Sequence, residues 1–123
     1  MSIQQIDKSG WVTFFDVLNK TLAGKRAEIE VASLDLGDQV EAEWLPLIGI
    51  TYDHKDDLVD VALEGLDHMI RKPRNIYVDF NVGDLVAIYI LDSDGAHHIN
   101  KLRDPLALPS PAGTARQTAA QPT

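Results

Sequence analysis

The spacing of apolar residues changes once along the chain, from a helical period to a strand period. Near the amino terminus, the apolar side chains recur every three or four residues, at Trp11, Phe14, Phe15, Leu18 and Leu22. This spacing is typical of the buried face of an amphipathic α-helix. Ser9 is predicted to cap the start of this helix, and Gly24 is predicted to close its end in a left-handed conformation.

After Arg26 the apolar residues alternate with polar ones. Ile29 and Val31 alternate with glutamates, and so do the later residues Val40, Ala42 and Trp44. This period of two predicts two strands that each expose one face to solvent and are joined as a hairpin by the Asp-Leu-Gly-Asp turn at 35–38. Pro46 has no backbone N–H, so it predicts a bulge or a sheet edge before the next strand, which carries Ile48, Ile50 and Tyr52.

Residues 58–71 fit two different periods. As a helix, they would place seven apolar side chains in one stripe. As strands, they form a hairpin that turns at Glu64-Gly65, with Val59, Val61 and Leu63 before the turn and Ile70 after it. The hairpin is favoured, because a glycine in mid-helix costs about 1 kcal/mol relative to alanine and because β-branched valines prefer strands. The helix remains the alternative.

The rest of the chain predicts three more strands. The first starts at Pro73, with Ile76, Val78 and Phe80 on one face, and turns at 81–84; the last runs over 97–103, after an Asp-Ser-Asp-Gly turn at 92–95. Between them, residues 85–91 are apolar on both faces, which is typical of a central strand covered on both sides. The helix can cover only one side, so the other needs a curled sheet or a second subunit.

These patterns together predict an α+β fold. It consists of one N-terminal amphipathic helix followed by an antiparallel β-meander of six to seven strands, in a strongly curled sheet or partial barrel. Residues 1–104 are expected to form this single domain. Residues 105–123 are rich in proline, alanine and threonine and are expected to form a flexible tail.

Composition and charge narrow the classes of function. The formal net charge of -8 disfavours binding to nucleic acid or to anionic membranes, although a basic set could support it, namely Arg71, Lys72, Arg74, Lys101 and Arg103. Between Glu28 and Asp67 there are twelve carboxylates and one cation, Lys55. The absence of cysteine, of a signal peptide and of an apolar run of about 20 residues predicts a cytoplasmic protein without a membrane segment.

No metal or cofactor is predicted. Asp92 and Asp94 begin like a calcium loop, but Arg103 stands where such a loop needs its glutamate. His97 and His98 are adjacent on a predicted strand, so they point to opposite faces and cannot share a metal ion. Asp92 is instead expected to pair with His97 across the hairpin. The chain also lacks the glycine-rich, zinc-binding and nucleophile-elbow motifs of common enzymes.

His68 is the most chemically interesting residue. In the hairpin interpretation it lies on the same face as Val61 and Ile70, where an imidazole needs a hydrogen-bond partner. It is either a satisfied core histidine or a general base or ligand contact at a cleft. The ligand-binding candidates in the second case are Trp44, Asp67, His68 and Arg71.

Three segments resemble a bacterial protein family known only as a domain of unknown function. They are LPLIGITYDHKDD, LDHMIRKPRNI and LRDPLALP, and the resemblance runs from Trp11 to about Pro109. It implies the hairpin around His68 but assigns no reaction, cofactor or site residue. The sequence therefore favours a small non-enzymatic interaction or binding module that self-associates as a homodimer. The alternative is a small-molecule-binding protein or minor enzyme with a cleft near Asp67, His68 and Arg71.

Overall fold

The computed structural model describes residues 2–22, 24–35, 37–81 and 84–103. The described part contains a 3-10 turn (Lys8–Gly10), one α-helix, α1 (Trp11–Asn19), and eight strands. The strands are β1 (Ser2–Ile6), β2 (Arg26–Ser33), β3 (Gly37–Asp53), β4 (Leu58–Leu63), β5 (Leu66–Arg71), β6 (Pro73–Asn81), β7 (Asp84–Asp92) and β8 (His97–Arg103). The predicted tail at 105–123 lies outside the described residues, as do Leu36 and residues 82–83 of the two predicted turns.

All eight strands form one antiparallel sheet in the order β1-β6-β7-β8-β2-β3-β4-β5. The predicted α+β class with a curled antiparallel sheet is confirmed, and seven strands follow the helix. Two features differ from a simple meander. A first strand, β1, precedes the helix and pairs with β6, and β8 returns to pair with β2, with Ile29 opposite Asn100.

The segment 58–71 is a hairpin, so the helical alternative is wrong. Val59 pairs with Ile70 and Val61 with His68. Gly65 has φ of 83°, a conformation that glycine adopts without steric cost. His68 therefore shares a face with buried Val61 and Ile70, as predicted.

Both predicted ends of the helix need correction. Ser9 does not cap it, because Ser9 lies inside the 3-10 turn, whose Gly10 amide bonds to the Asp7 carbonyl; Gly10 precedes the helix without a side-chain cap. The helix ends at Asn19, where the Lys20 amide donates to backbone carbonyls of the last turn. Gly24 does adopt a left-handed φ of 84°, but it does so in the turn that follows the helix.

The sheet curls because β3 changes partner halfway along its length. Its first half pairs with β2 up to Pro46, and its second half pairs with β4 from Leu47 onward. The register of β3 shifts twice against β2, between Ala27 and Ile29 and between Ile29 and Glu30, and once against β4, between Leu47 and Gly49, so the predicted irregularity is present on both sides of Pro46. Bulges bend and twist a strand, and here they carry β4 and β5 over the rest of the sheet.

The interior is one continuous apolar cluster. Strands β2 to β8 and the helix all contribute to it, with Trp11 and Phe15 each 1% exposed. The Trp11 ring meets the Tyr52 ring edge-on at 5.1 Å, and its Nε1 donates to the Ile6 carbonyl. Among the described residues, no helix is long and apolar enough to cross a lipid bilayer.

The two faces of β7 have different surroundings. Ile88 and Ile90 are buried in the interior, which the curl of the sheet and the helix enclose. On the opposite side, Tyr89 and Leu91 are only half-buried. We call this side of β1, β6, β7, β8 and β2 the outer face. This face is only partly exposed: Ala87 and its cross-strand partner Asp79 are each 4% exposed, and the Trp44 ring of β3 lies against Arg103 of β8.

Candidate functional site

Two histidines that are thirty residues apart in sequence meet inside the curled sheet. Nε2 of His68, on β5, lies 2.9 Å from Nδ1 of His98, on β8, and the two ring centroids are 5.1 Å apart. These strands are not neighbours in the sheet. The contact exists because the bulged β3 folds the β4–β5 hairpin over β8.

A carboxylate continues this pair into a chain of three side chains. Nε2 of His98 lies 2.8 Å from Oδ2 of Asp92, and Oδ1 of Asp92 accepts hydrogen bonds from the amides of Asp94 and Ala96. The prediction that Asp92 pairs with His97 is therefore wrong. His97 is exposed, whereas His98 is only 7% exposed, because adjacent residues of a strand face opposite ways and the inward ring is the one that reaches Asp92. We call His68, His98 and Asp92 the histidine relay.

The charge of Asp92 sets the direction of the hydrogen bonds when both rings are neutral. An ionised carboxylate only accepts, so Nε2 of His98 carries the proton that it donates to Asp92. Nδ1 of His98 then accepts from Nε2–H of His68. This leaves the lone pair on Nδ1 of His68 as the basic end of the relay.

Burial and hydrogen bonding shift the pKa values of His68 and Asp92. Burial, and secondarily the proximity of His98, lowers the pKa of His68 to about 4. For Asp92, burial raises the pKa, but the hydrogen bonds from His98 and from the amides of Ala96 and Asp94 outweigh this and lower it below its ordinary value. At neutral pH, His68 is thus an unprotonated base, and Asp92, at the other end of the relay, is an ionised carboxylate.

A fully buried amide lies next to the relay. Asn100 is two residues beyond His98 on the same face of β8 and is 0% exposed. Its Nδ2 donates to the carbonyls of Ile88 and His98. Its Oδ1 has no hydrogen-bond partner among the described residues, which leaves one acceptor in the interior available.

The other three ligand-binding candidates do not converge on His68. Asp67 and Arg71 occupy the alternate positions of β5, so they project from the opposite face and are exposed. Burial, and then the nearby charge of Asp67, raises the pKa of Asp60 on that outer side of the hairpin.

Trp44 belongs to a different place in the fold. It lies in the β3 bulge with φ of 53°, its ring stacks under the Arg103 guanidinium at 3.9 Å, and its carbonyl accepts from Nη1 of Arg26 at 3.1 Å. Only His68, of the four candidates, belongs to the relay. The binding roles of all four remain predictions.

Sequence reasoning missed His98 and Asn100 as interior polar residues. The available signal was the alternation along β8, which puts His98 and Asn100 on one side and His97 on the other. No pattern in the sequence could pair His98 with His68, because that contact depends on how far the sheet curls. Among the described residues, no three histidine, aspartate or glutamate side chains form a group that could hold a metal ion.

Comparison with known proteins gives a family and one similar protein. A profile described as "Family of unknown function (DUF5335)" matches residues 2–111. A protein of Aquifex aeolicus, named "Uncharacterized protein", is 36% identical over 110 residues, which cover 89% of this chain and 99% of the relative. No solved structure shows a significant match.

Proposed function

The chain belongs to the family of unknown function DUF5335, and we propose that it is a non-enzymatic interaction module that self-associates through the outer face. The observation that carries this proposal is a row of apolar side chains at the centre of that face. Tyr77 lies opposite Tyr89, and Tyr89 lies opposite Ile99, in register across three strands. All three are half-buried in the single chain. Such a surface gains stability when a partner removes it from water.

The charges around this row suit a second copy of the same chain. Six charged side chains on the same face of β2, β6 and β8 surround the row, three cations and three carboxylates: Arg26, Lys101, Arg103, Glu28, Glu30 and Asp79. Lys101 and Glu28 already form a pair at 3.7 Å. Two copies of a chain with a net charge of -8 repel one another on most of their surface, but here the local charges balance.

The size of the outer face predicts a weak association. Five strands spaced about 4.8 Å apart, over about seven residues that each rise about 3.3 Å, give a face of roughly 19 by 23 Å. This is below the roughly 800 Å² that each partner buries in a standard interface. Ile3, which is 63% exposed opposite Asp79, extends the apolar area toward the β1 edge. We therefore expect a homodimer with a dissociation constant in the micromolar range.

Sedimentation velocity on the full chain tests the proposal with two matched variants. Ile99→Lys places a charge in the apolar row, whereas Val17→Lys makes the same change of charge at a 58% exposed position on α1. Between about 10 and about 500 µM, the wild type and V17K should shift from the 13.6 kDa monomer toward a dimer, while I99K stays monomeric with an unchanged circular dichroism spectrum. A wild type that is monomeric throughout, or an I99K variant that dimerises equally well, contradicts the proposal.

A second candidate function is a small-molecule site at His68, which the relay supports. The free Nδ1 lone pair of a neutral histidine can accept a proton or a hydrogen bond from a ligand, and His98 and Asp92 stabilise the charge that results. In this function the ligand contacts His68 directly. Asp67, Arg71 and Trp44 could contribute only to more distant parts of a ligand.

A thermal-shift screen with a metabolite panel separates this candidate from a purely structural histidine. His68→Gln removes the base, and His97→Gln serves as the control, since His97 is exposed on the same strand as His98. A ligand of the site should raise the melting temperature of the wild type and of H97Q but not that of H68Q. If no metabolite distinguishes H68Q from H97Q, His68 is a satisfied interior residue.

We also propose that the protein works in the cytoplasm. The sequence contains no cysteine, which suits a reducing compartment. Fractionation of cells that produce the tagged chain tests this, and recovery in the periplasmic or membrane fraction contradicts it.

A further inference from the structure

Three turns meet at one corner of the fold, and the backbone of Lys72 joins them. Lys72 lies between β5 and β6, where the chain turns from the folded-over hairpin back to the main sheet. Its N–H donates to the carbonyl of Asp57, in the β3–β4 turn, at 2.8 Å, and its carbonyl accepts from the N–H of Ser93, in the β7–β8 turn, at 2.9 Å. The corner is therefore fixed by backbone hydrogen bonds on both sides.

Two residues at this corner have a backbone conformation that side chains disfavour. Lys72 and Asp57 both have φ of 51°, and they account for two of the three non-glycine residues with positive φ in the described part of the chain. Glycine would adopt this conformation with less strain at position 72, yet the chain has a lysine there. Strained backbone conformations are often found at functional sites, where the role of the side chain outweighs the cost of the conformation.

A cleft of about 550 Å³ opens at this corner and collects positive charge in an acidic protein. Its lining includes Lys8, Asp57, Lys72, Arg74, Asn75 and Ser93, and we call it the corner cleft. Its volume is within the range of small-molecule sites. Asp56 also lines it, so the charges of the cleft are three cations and two carboxylates, against eleven basic and nineteen acidic residues in the whole chain.

One carboxylate of the cleft already has its partners within the protein. Oδ1 of Asp57 accepts the Tyr52 hydroxyl at 2.7 Å and lies 3.5 Å from Nζ of Lys8. By contrast, Lys72 and Arg74 are exposed and have no ion-pair partner among the described residues. The side chains of Asn75 and Ser93 add neutral donors beside these two cations.

From this arrangement we propose that the corner cleft binds a small phosphate-bearing anion. The planar guanidinium of Arg74 can hold two phosphate oxygens, the ammonium of Lys72 supplies a point charge, and the Ser93 hydroxyl can donate to a third oxygen. Binding of the anion by the Lys72 ammonium would explain why position 72 has a lysine despite its strained backbone. This site borders the outer face at Asn75, which lies opposite Leu91, but it includes none of the apolar row and does not depend on self-association.

Titration of the ¹⁵N-labelled full chain with pyrophosphate and with inorganic phosphate, at constant ionic strength, tests the site. We expect saturable shifts of the amide signals of Lys72, Arg74, Asn75 and Ser93, with pyrophosphate binding more tightly. Lys72→Gly and Lys72→Gln should each weaken pyrophosphate binding by about tenfold, since each removes one charge-assisted contact. Lys20→Gln removes an exposed cation at the end of α1 and should change the affinity by less than about twofold.

The two variants at position 72 separate the effect of the lysine charge on binding from the effect of the strained backbone on folding. K72G relieves the strained backbone and so should fold at least as well as the wild type, whereas K72Q keeps the strain and removes only the charge. Shifts that do not saturate, shifts centred elsewhere in the chain, or a K72Q variant that binds like the wild type would each overturn the proposal.

Discussion

The side chain of Asn19 makes hydrogen bonds with both backbone groups of Ile50. Its Nδ2 donates to the Ile50 carbonyl and its Oδ1 accepts from the Ile50 amide, each at 2.9 Å. Ile50 lies in the second half of β3, which has β4 on one side only. The last residue of α1 thus satisfies the free side of the strand that folds over the sheet. This contact fixes the helix where it closes the interior.

Replacing Asn19 by alanine should therefore destabilise the protein more than is usual for a substitution at the end of a helix. It removes two hydrogen bonds and leaves both backbone groups of a residue whose side chain is 1% exposed without their partner. We expect a loss of about 2 kcal/mol in the free energy of unfolding, measured by urea denaturation. Lys20→Ala, at the adjacent exposed position, should cost less than about 0.5 kcal/mol. Equal losses for the two variants would show that the Asn19 contact adds nothing.

The Asn19 contact also explains the glycine at position 49. A Cβ at Gly49 would lie 3.3 Å from Oδ1 of Asn19, which is tighter than an ordinary contact. Gly49→Ala should destabilise the wild type but cost measurably less in the N19A background, because the obstructing side chain is gone. Additive losses in this double-mutant cycle would contradict the assigned contact.

The histidine relay predicts a loss of stability in mild acid. The pKa of His68 is about 4 in the folded chain and 6.5 for an ordinary histidine, so between these pH values the unfolded chain binds more protons. Stability is thus complete above about pH 6.5 and falls as the pH falls toward 4. Because the ring is only partly buried, we expect a loss of about 1 to 2 kcal/mol from this group.

Urea denaturation of the wild type and His68→Gln at several pH values measures this effect. The difference in unfolding free energy between the two proteins should shrink as the pH falls from about 7 to about 4.5. His97→Gln should follow the wild type at every pH. Parallel curves for the wild type and H68Q would mean that His68 does not carry the pH dependence.

Ionisation of the Tyr52 hydroxyl should be measurable as an absorbance change at alkaline pH. Burial, followed by its hydrogen bond to Asp57 and the charges of Asp57 and Asp53, raises its pKa to about 12. The unfolded chain ionises this hydroxyl near pH 10, so stability is lost as the pH rises from about 10 to about 12. The difference in ultraviolet absorbance between the wild type and Tyr52→Phe should titrate with a midpoint near 12. A midpoint near 10 would contradict the buried hydrogen bond.

The strain at position 72 predicts that a substitution can stabilise the protein. Lys72→Gly should raise the free energy of unfolding by up to about 1 kcal/mol, because glycine accepts φ of 51° without a steric penalty. Arg71→Gly, one residue earlier on β5, should lower it by a similar amount, since glycine weakens a strand. If K72G is the less stable of the two, the backbone at this corner is not strained.

Local pattern predicted the strands well, because each of the hairpins β2–β3, β4–β5 and β6–β7 and the β7–β8 turn has alternation and turn residues of its own. Strand β1 was missed because Ser2–Ile6 carries two glutamines and only two apolar residues, and its partner is at least seventy residues away. Its pairing is set by the assembled sheet and not by a local period.

The candidate site was predictable only in part, for the same reason. The hairpin register predicted which face of β5 carries His68. Its contact with His98 could not be predicted, because it depends on the curl of the sheet, which the β3 bulges and the Lys72 corner produce. The corner cleft also depends on contacts between three separate turns. Its basic residues were visible in the sequence, but their arrangement around one cleft was not.

A dilution series of ¹H–¹⁵N spectra measures, residue by residue, whether two copies of the chain meet through the outer face as proposed. Between about 500 and about 20 µM, amide signals of Tyr77, Tyr89 and Ile99 should shift together along one dimerisation curve, while those of α1 stay fixed. The signals of I99K should not depend on concentration. Spectra of the wild type that are identical at all concentrations, or shifts confined to the edge strand β5, would rule out self-association through the outer face.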